Sequence, residues 1–319
     1  MEHLPLSPTM DVVFQYIFSS EGSEEGLLSF LNAVMVHSGK PLLREVTVLN
    51  PFNVRRFRED KELIMDIRAV DEMGRVFDVE MQSVNQLGFE NRILYYWSRL
   101  YCTQIQKGED YRELHPVVSI ILMNFELFEK LPDLHNEFYI AAKANPELAL
   151  TDDLQIHTFE LSGKKLKQLP KLEELLQAWL DFFCHAEEKT ENEMEVLLKK
   201  DRGLKRAYQK YHEFTRDDEL REIAEAREKN ERDRRGQMDY AHASGVKEGM
   251  EKGMEKGRAE GIARSIVRFL RKRFPLEFSS ELETRIMALT DTEHLENLFM
   301  VAYESPTLEA FVRQLERKA

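Results

Sequence analysis

The order of apolar and polar positions over the first 165 residues switches between helical and strand periods. Apolar residues at helical spacing predict two helices, from Thr9 to about Phe18 and over residues 27–35. A longer amphipathic helix is predicted over residues 89–107. Alternating or continuous apolar runs predict strands at residues 45–50, 61–70, 75–82, 116–125, 137–142 and 154–161. This order predicts a mixed α/β domain over residues 1–165, with a hairpin loop at residues 71–74.

After residue 165 the pattern predicts helices, among them residues 172–186 and 192–211, and no further strand. Residues 216–235 are nearly all charged, with seven basic and eight acidic side chains, which favours an exposed helix or a tether. We therefore expect a helical region with a charged linker over residues 166–240. A glycine-repeat helix and a small helical domain are expected over residues 241–319.

A glycine recurs every fourth residue in this last region, at Gly245, Gly249, Gly253, Gly257 and Gly261. On a helix these glycines would form a slowly drifting stripe, and each lowers helix propensity by about 1 kcal/mol relative to alanine. The Lys and Glu residues between them exclude a membrane span. A close-packed pair of helices, one from each of two subunits, and a flexible tether both remain open. We favour the helix pair and therefore expect a homodimer.

Composition narrows the classes of function. The chain of 319 residues has a net charge of −13. It is therefore not expected to bind nucleic acid through its overall charge, and any contact with DNA needs a local binding site. The two cysteines, Cys102 and Cys184, have no paired spacing, which excludes a disulfide scaffold and a cysteine zinc site. The longest apolar run, residues 117–123, is too short to cross a bilayer, and no secretory signal is visible. A cytoplasmic protein is expected.

The predicted hairpin brings charged residues together. If it is centred on Met73, facing residues have numbers that sum to 146, so Asp66 faces Glu80 and Arg68 faces Asp78. Facing carboxylates repel each other unless a cation lies between them, and oxygen ligands suit Mg²⁺, Mn²⁺ or Ca²⁺. A hairpin with one solvated, charged face is the simpler interpretation, and the geometry alone favours it.

Asp66 followed by Glu80-Met81-Gln82 resembles the D…(D/E)-x-K signature of the PD-(D/E)XK nuclease superfamily, with Gln82 where Lys is usual. Three further blocks occur in the same order as in one branch, the PD-(D/E)XK nuclease family transposases, which are related to the recombination-promoting nucleases. The four blocks are PTMDVVFQYIF from residue 8, MDIRAVDEMGRVFDVEMQ from 65, NRILYYWSRLYCTQIQKGEDY from 91 and HPVVSIILMNFELF from 115. The resemblance covers residues 5–165.

The resemblance implies a restriction-endonuclease-like core, a mixed sheet flanked by helices, followed by an all-α C-terminal region. It implies Asp66, Glu80 and the backbone carbonyl of Met81 as metal ligands, with Mg²⁺ as cofactor and Mn²⁺ or Ca²⁺ as alternatives. Gln82 takes the position of the usual lysine and cannot accept a proton as a neutral lysine could. Asp11 matches an acidic position that some members add to the metal shell, although an acid in a first helical turn is also favoured by the helix dipole.

The block after the hairpin supplies candidates for substrate contact. Arg92, Tyr96, Arg99 and Gln104 could meet phosphate or brace the carboxylates, whereas the neighbouring aromatic residues are better explained as core packing.

Two functions of different class follow. The first is a metal-dependent DNA endonuclease associated with recombination, transposition or mobile elements. The alternative is a catalytically weak or inactive nuclease fold that serves as a DNA- or protein-binding oligomeric module. The retained Asp66, Glu80 and Gln82 favour the first function, and the acidic charge and the missing lysine favour the alternative.

Overall fold

The computed structural model describes residues 6–53 and 67–316. They form two compact units, which divide between Asn230 and Glu231.

The strands of the first unit are β1 Val46–Val48, β2 Ile67–Asp71, β3 Val76–Gln82, β4 Val117–Met123, β5 His135–Phe138, β6 Ala141–Ala142, β7 Asn145–Ala149 and β8 Leu154–Glu160. Six of them form a mixed sheet with the strand order β1-β2-β3-β4-β8-β5. β1 to β3 are antiparallel, β3, β4 and β8 run parallel, and β5 is antiparallel to β8. A separate two-stranded hairpin is formed by β6 and β7.

The β2–β3 hairpin has the register that the sequence predicts. Arg68 pairs with Asp78, and the neighbouring pairs also sum to 146. Asp71 closes the turn, because its carboxylate accepts hydrogen bonds from the backbone N–H of Met73 at 2.9 Å and of Arg75 at 2.8 Å. Gly74 has a φ of 81°, and a Cβ there would lie 2.7 Å from the His115 ring, so the turn requires glycine.

Helices cover both faces of the sheet. One face packs on α1 Asp11–Ser19 and α2 Glu24–His37 in the main core, and the other packs on α3 Phe89–Cys102 in a smaller core. The predicted α/β fold class is confirmed. α3 ends at Cys102, five residues earlier than predicted, and the hydroxyl of Thr103 donates to the Arg99 carbonyl at its end.

The first unit extends well beyond residue 165. α4 Glu174–His185 and α6 Arg202–Arg216 belong to the main core, together with the beginning of α7 Asp218–Arg273. The helix predicted over residues 192–211 is two helices, α5 Glu191–Leu198 and α6, because Asp201 interrupts the helix and caps α6 through the Leu204 N–H. The aromatic side chains Phe14, Phe18, Phe30, Trp179 and Phe183 join α1, α2 and α4.

The second unit is all helical. α8 Ser280–Met287, α9 Thr292–Glu304 and α10 Leu308–Glu316 share a core with the C-terminal end of α7. The glycine repeat lies within α7, and a Cβ added at any of its five glycines would meet no neighbouring atom within 4 Å. Within residues 6–53 and 67–316, no helix has both the length and the apolar character that a membrane span requires.

One close approach in the first unit is testable by a single substitution. A Cβ on Gly203 of α6 would overlap Ser29 of α2 and lie 2.5 Å from the carbonyl oxygen of Glu25. Gly203→Ala is therefore expected to lower the free energy of unfolding by about 1–3 kcal/mol, although alanine is the better helix former. Urea unfolding followed by circular dichroism measures the change.

Gly236→Ala is the matched control, because the same methyl group meets open space on α7 outside the glycine repeat. It should not lower the free energy of unfolding. Equal stability of Gly203→Ala and the natural protein would contradict the close packing of α2 on α6.

Candidate active site

β3 directs a row of polar side chains toward the face that α3 covers. Asp78, Glu80 and Gln82 alternate with Phe77, Val79 and Met81, whose side chains lie in the main core on the opposite face. Asp78 is 6% exposed and Glu80 is 8% exposed. Because both faces of this strand are covered, its carboxylates need polar partners within the protein.

Glu80 contacts two such partners among the described residues. Its Oε1 accepts a hydrogen bond from the guanidinium of Arg92 at 2.8 Å and another from the side-chain amide of Gln82. Arg92 lies in the first turns of α3, where its guanidinium stands 5.7 Å from the Phe89 ring centroid and 5.5 Å from that of Tyr96. The two rings fix the guanidinium beside the carboxylate. Glu80, Gln82 and Arg92 together form the Glu80 cluster.

The cluster lies toward the carboxyl ends of the parallel strands β3 and β4. Gln82 pairs with Met123, the last residue of β4. The backbone carbonyl of Gln82 accepts a hydrogen bond from the Asn124 N–H at 3.0 Å. The Asn124 side chain in turn donates to the hydroxyl of Thr9 at 3.3 Å, two residues before α1. Carboxyl ends of parallel strands are where open α/β sheets commonly bind ligands.

The family comparison matches the PD-(D/E)XK nuclease family transposases over residues 8–241. The chain belongs to this family. No curated protein and no solved structure matches it. The family match includes the whole sheet, the Glu80 cluster and the first part of α7, so it extends well past residue 165.

Only part of the family signature lies among the described residues. Asp66 lies outside the described residues, and the described pairing of β2 with β3 includes Ile67 with Val79. Glu80 and Gln82 lie side by side, as the signature requires. Met81 directs its side chain into the main core, and the role of its carbonyl as a ligand stays a prediction.

Asp11 has contacts of its own at the beginning of α1. One carboxylate oxygen accepts from the Val12 N–H at 2.7 Å, and the other lies 3.7 Å from the guanidinium of Arg227 in α7. Both contacts suit an acid in a first helical turn. A place for Asp11 in the metal shell stays a prediction.

The four candidates for substrate contact do not all lie near Glu80. Arg92 and Tyr96 belong to the surroundings of Glu80, and Arg99 is exposed on the same helix. Gln104 lies beyond the end of α3, where its amide donates to the carbonyl of His115 at 2.9 Å and accepts from its N–H at 2.8 Å. The structure therefore gives the Gln104 side chain a supporting contact with the segment that precedes β4.

Trp97 and Tyr101 of α3 pack as the sequence predicts, and the prediction of core packing is wrong for Tyr95. Trp97 is buried and donates to the carbonyl of Val117 at 2.9 Å. The hydroxyl of Tyr101 donates to Asp153 at 2.6 Å, and this hydrogen bond raises the pKa of Tyr101 to about 12. Tyr95 is exposed.

The donor atoms of the cluster fit a hard divalent cation. The Glu80 carboxylate and the Gln82 amide carbonyl are oxygen ligands of the kind that Mg²⁺, Mn²⁺ and Ca²⁺ prefer. In the part of the chain that the structure describes, no three His, Cys, Asp or Glu side chains are grouped to hold a metal ion. The described cluster has one carboxylate near Arg92, and the second carboxylate of the family signature would come from Asp66.

The fold also brings together three histidines that no sequence motif connects. His37 ends α2, His135 lies on β5 and His157 lies on β8. The His135 and His157 rings are stacked, with His135 Nε2 and His157 Nδ1 3.1 Å apart, and the His37 ring lies 5.1 Å from that of His135. Burial lowers the pKa of His135 to about 4 and that of His157 to about 3. Only strand pairing between β5 and β8 could have revealed this cluster.

This histidine pair makes stability depend on pH. At pH values between about 4 and 6.5 these two imidazoles are protonated in the unfolded chain and neutral in the folded chain. The free energy of unfolding therefore falls as the pH falls. Each histidine contributes a slope of up to about 1.4 kcal/mol per pH unit. His135→Gln and His157→Gln should each reduce the slope measured by urea unfolding from pH 7 to 4.

His115→Gln serves as the control, because His115 is exposed and should leave the slope unchanged. A slope that is the same in all three variants would show that the pair is not buried in its neutral form.

Proposed function

We propose that this member of the family is a metal-dependent DNA endonuclease that hydrolyses phosphodiester bonds in recombination, transposition or the movement of mobile elements. The observation that carries the proposal is the Glu80 cluster: the buried Glu80 carboxylate and the Gln82 amide on β3, with the Arg92 guanidinium of α3 beside them, in a chain that belongs to the nuclease family. A cytoplasmic location belongs to the same proposal and is consistent with Cys102 and Cys184, which are both free thiols.

Asp66, Glu80 and the carbonyl of Met81 would hold the cation, with Mg²⁺ first and Mn²⁺ or Ca²⁺ as alternatives. When bound, such an ion lowers the pKa of a coordinated water and polarises a phosphoryl oxygen. The register supports this ligand set, because Ile67 pairs with Val79, and one more step of the same antiparallel pairing would bring Asp66 opposite Glu80. Asp11 would complete the shell from the beginning of α1.

Gln82 defines what the chain itself can do in place of the usual lysine. Its amide is neutral and cannot take a proton from water, but it can donate one hydrogen bond and accept another. In the structure the amide nitrogen is directed at Glu80 Oε1. The proposed role of Gln82 is therefore to orient the Glu80 carboxylate and a water molecule, not to act as a base.

Arg92 supplies the positive charge that the missing lysine would have supplied. Its guanidinium has five N–H donors, and one of them is engaged with Glu80, so others can bind the oxygens of a phosphate at the same place. Phe89 and Tyr96 hold it in position. Arg99, exposed on the same helix, is proposed to contact the DNA backbone further along, and Gln104 would support this surface through His115.

One observation favours the alternative function, a nuclease fold without activity. Arg92 already gives Glu80 an ion-pair partner, so the burial of this carboxylate does not by itself require a cation. Under this alternative the fold would serve as a DNA- or protein-binding oligomeric module.

Cleavage of supercoiled plasmid in Mg²⁺, Mn²⁺ or Ca²⁺ distinguishes the two functions. Glu80→Gln and Asp66→Asn should each lower the cleavage rate by about a hundredfold or more, because each removes an anionic ligand while keeping the size of the side chain. Glu90→Gln, an exposed change on α3, should cut as the natural protein does. Undiminished cutting by the Glu80→Gln/Asp66→Asn double variant would overturn this active site.

The same proposal includes a homodimer. Clean cutting of both strands of a duplex favours two active sites related by a two-fold axis. The glycine stripe on α7 offers a surface on which a second helix can approach closely, and Val246, Met250 and Met254 follow it at every fourth residue. These three side chains are 56%, 68% and 69% exposed, which leaves a row of apolar surface for a partner helix to cover.

Light scattering on the intact protein tests the dimer. The natural chain should have twice its 37.6 kDa mass at micromolar concentration, and Gly249→Leu/Gly253→Leu should be monomeric because the added side chains separate the helix backbones. Glu251→Leu/Glu255→Leu adds the same bulk on the opposite side of the helix and should stay dimeric. A monomeric natural protein, or a glycine variant that remains dimeric, would exclude the stripe as the interface.

A further inference from the structure

The C-terminal part of α7 concentrates positive charge in an otherwise acidic protein. Residues 231–319 contain sixteen acidic and sixteen basic side chains, so the net charge of −13 comes entirely from residues 1–230. Within residues 258–273 there are six basic side chains and a single acidic one, Glu260. The second unit therefore has a local cationic surface that the composition of the whole chain conceals.

The cations of this surface line a groove in the second unit. Arg264, Arg268 and Lys272 are exposed and one helical turn apart, so their Cα atoms are separated by about 6 Å along one side of α7. The groove has a volume of about 580 Å³. It is lined by Arg264, Val267, Arg268, Arg271, Lys272, Glu283 and Met287.

Contacts within the second unit account for only part of this charge. Arg273 donates to the Tyr303 carbonyl at the end of α9, and Arg271 forms an ion pair with Glu283 of α8. Within the described ranges, Arg268 and Lys272 have no ion-pair partner, and the contact of Arg264 with Glu260 is 3.7 Å long.

The helix dipole also explains only part of this concentration of cations on α7. It favours cations in the last turn of a helix, which accounts for Lys272 but not for Arg264 and Arg268, since both lie before that turn. Like charges four residues apart on a helix repel each other. A row of such cations is therefore expected to be more stable when an anion lies across it.

We infer that this groove binds the phosphate backbone of double-stranded DNA, as a second contact that needs no metal ion. The inference rests on the proposed function in taking DNA as the polyanion. Because the net charge of the chain is negative, binding of a duplex requires a local cationic site such as this groove. Arginine and lysine are the usual ligands of DNA phosphates. An acidic protein surface, such as residues 1–230 of a second copy, is the rival occupant.

Fluorescence anisotropy of a labelled 30-base-pair duplex with the full chain in EDTA tests the groove. Arg264→Gln/Arg268→Gln/Lys272→Gln should weaken binding at least tenfold at moderate salt. It should also reduce the slope of log affinity against log salt concentration by about three, one for each lost phosphate contact. Lys247→Gln/Lys252→Gln/Lys256→Gln removes the same charge from exposed positions of α7 outside the groove and should bind as the natural chain does.

The outcomes separate the groove from the active site. Glu80→Gln should bind the duplex normally in EDTA, whether or not the natural protein cleaves DNA. If the natural chain fails to bind DNA without metal, or both triple variants lose affinity equally, the inference is wrong and the cleavage assay still decides the proposed function. If the groove variant binds DNA normally but has a lower mass by light scattering, the groove is a protein contact and the inference is also wrong.

Discussion

The constraint on which the first unit depends is that β3 is covered on both faces while every second side chain at its carboxyl end is polar. Phe77, Val79 and Met81 belong to the main core, so Asp78, Glu80 and Gln82 must lie beneath α3. Burial of a carboxylate is unfavourable unless it is paired and hydrogen-bonded. Arg92 and Gln82 satisfy Glu80, and the rings of Phe89 and Tyr96 fix Arg92. The packing of α3 on β3 and the geometry of the candidate active site therefore both depend on the ion pair between Glu80 and Arg92.

Short-range signals explain why the hairpin could be predicted. The strict alternation of β3 and the turn residues Asp71 and Gly74 determine its register, and the structure has that register at Arg68 and Asp78. The family resemblance added the signature residues, which alternation alone does not distinguish from a solvated face. The ion pair of Glu80 with Arg92 could not be read from spacing, because it depends on how α3 returns across the sheet.

Long-range packing explains what the sequence did not reveal. Nothing local marks Gly203 as a helix contact, since its neighbour Ser29 is far away along the chain. The extension of the first unit past residue 165 has the same origin, because Trp179 and Phe214 complete a core that the first two helices begin. The break before α6 had a local signal, the capping residue Asp201, within an otherwise continuous helical pattern.

The exposed middle of α7 has a consequence for local stability. Between residues 231 and 258 the helix has almost no buried side chain, and its glycines weaken it by about 1 kcal/mol each. Helices without tertiary contacts are marginal in water, so the backbone of this stretch is expected to open at a low free energy. Its amide protons should exchange with solvent long before those of β4, and any partner that covers the stripe would slow them. Hydrogen exchange along a single helix thus reports the state of assembly of the protein.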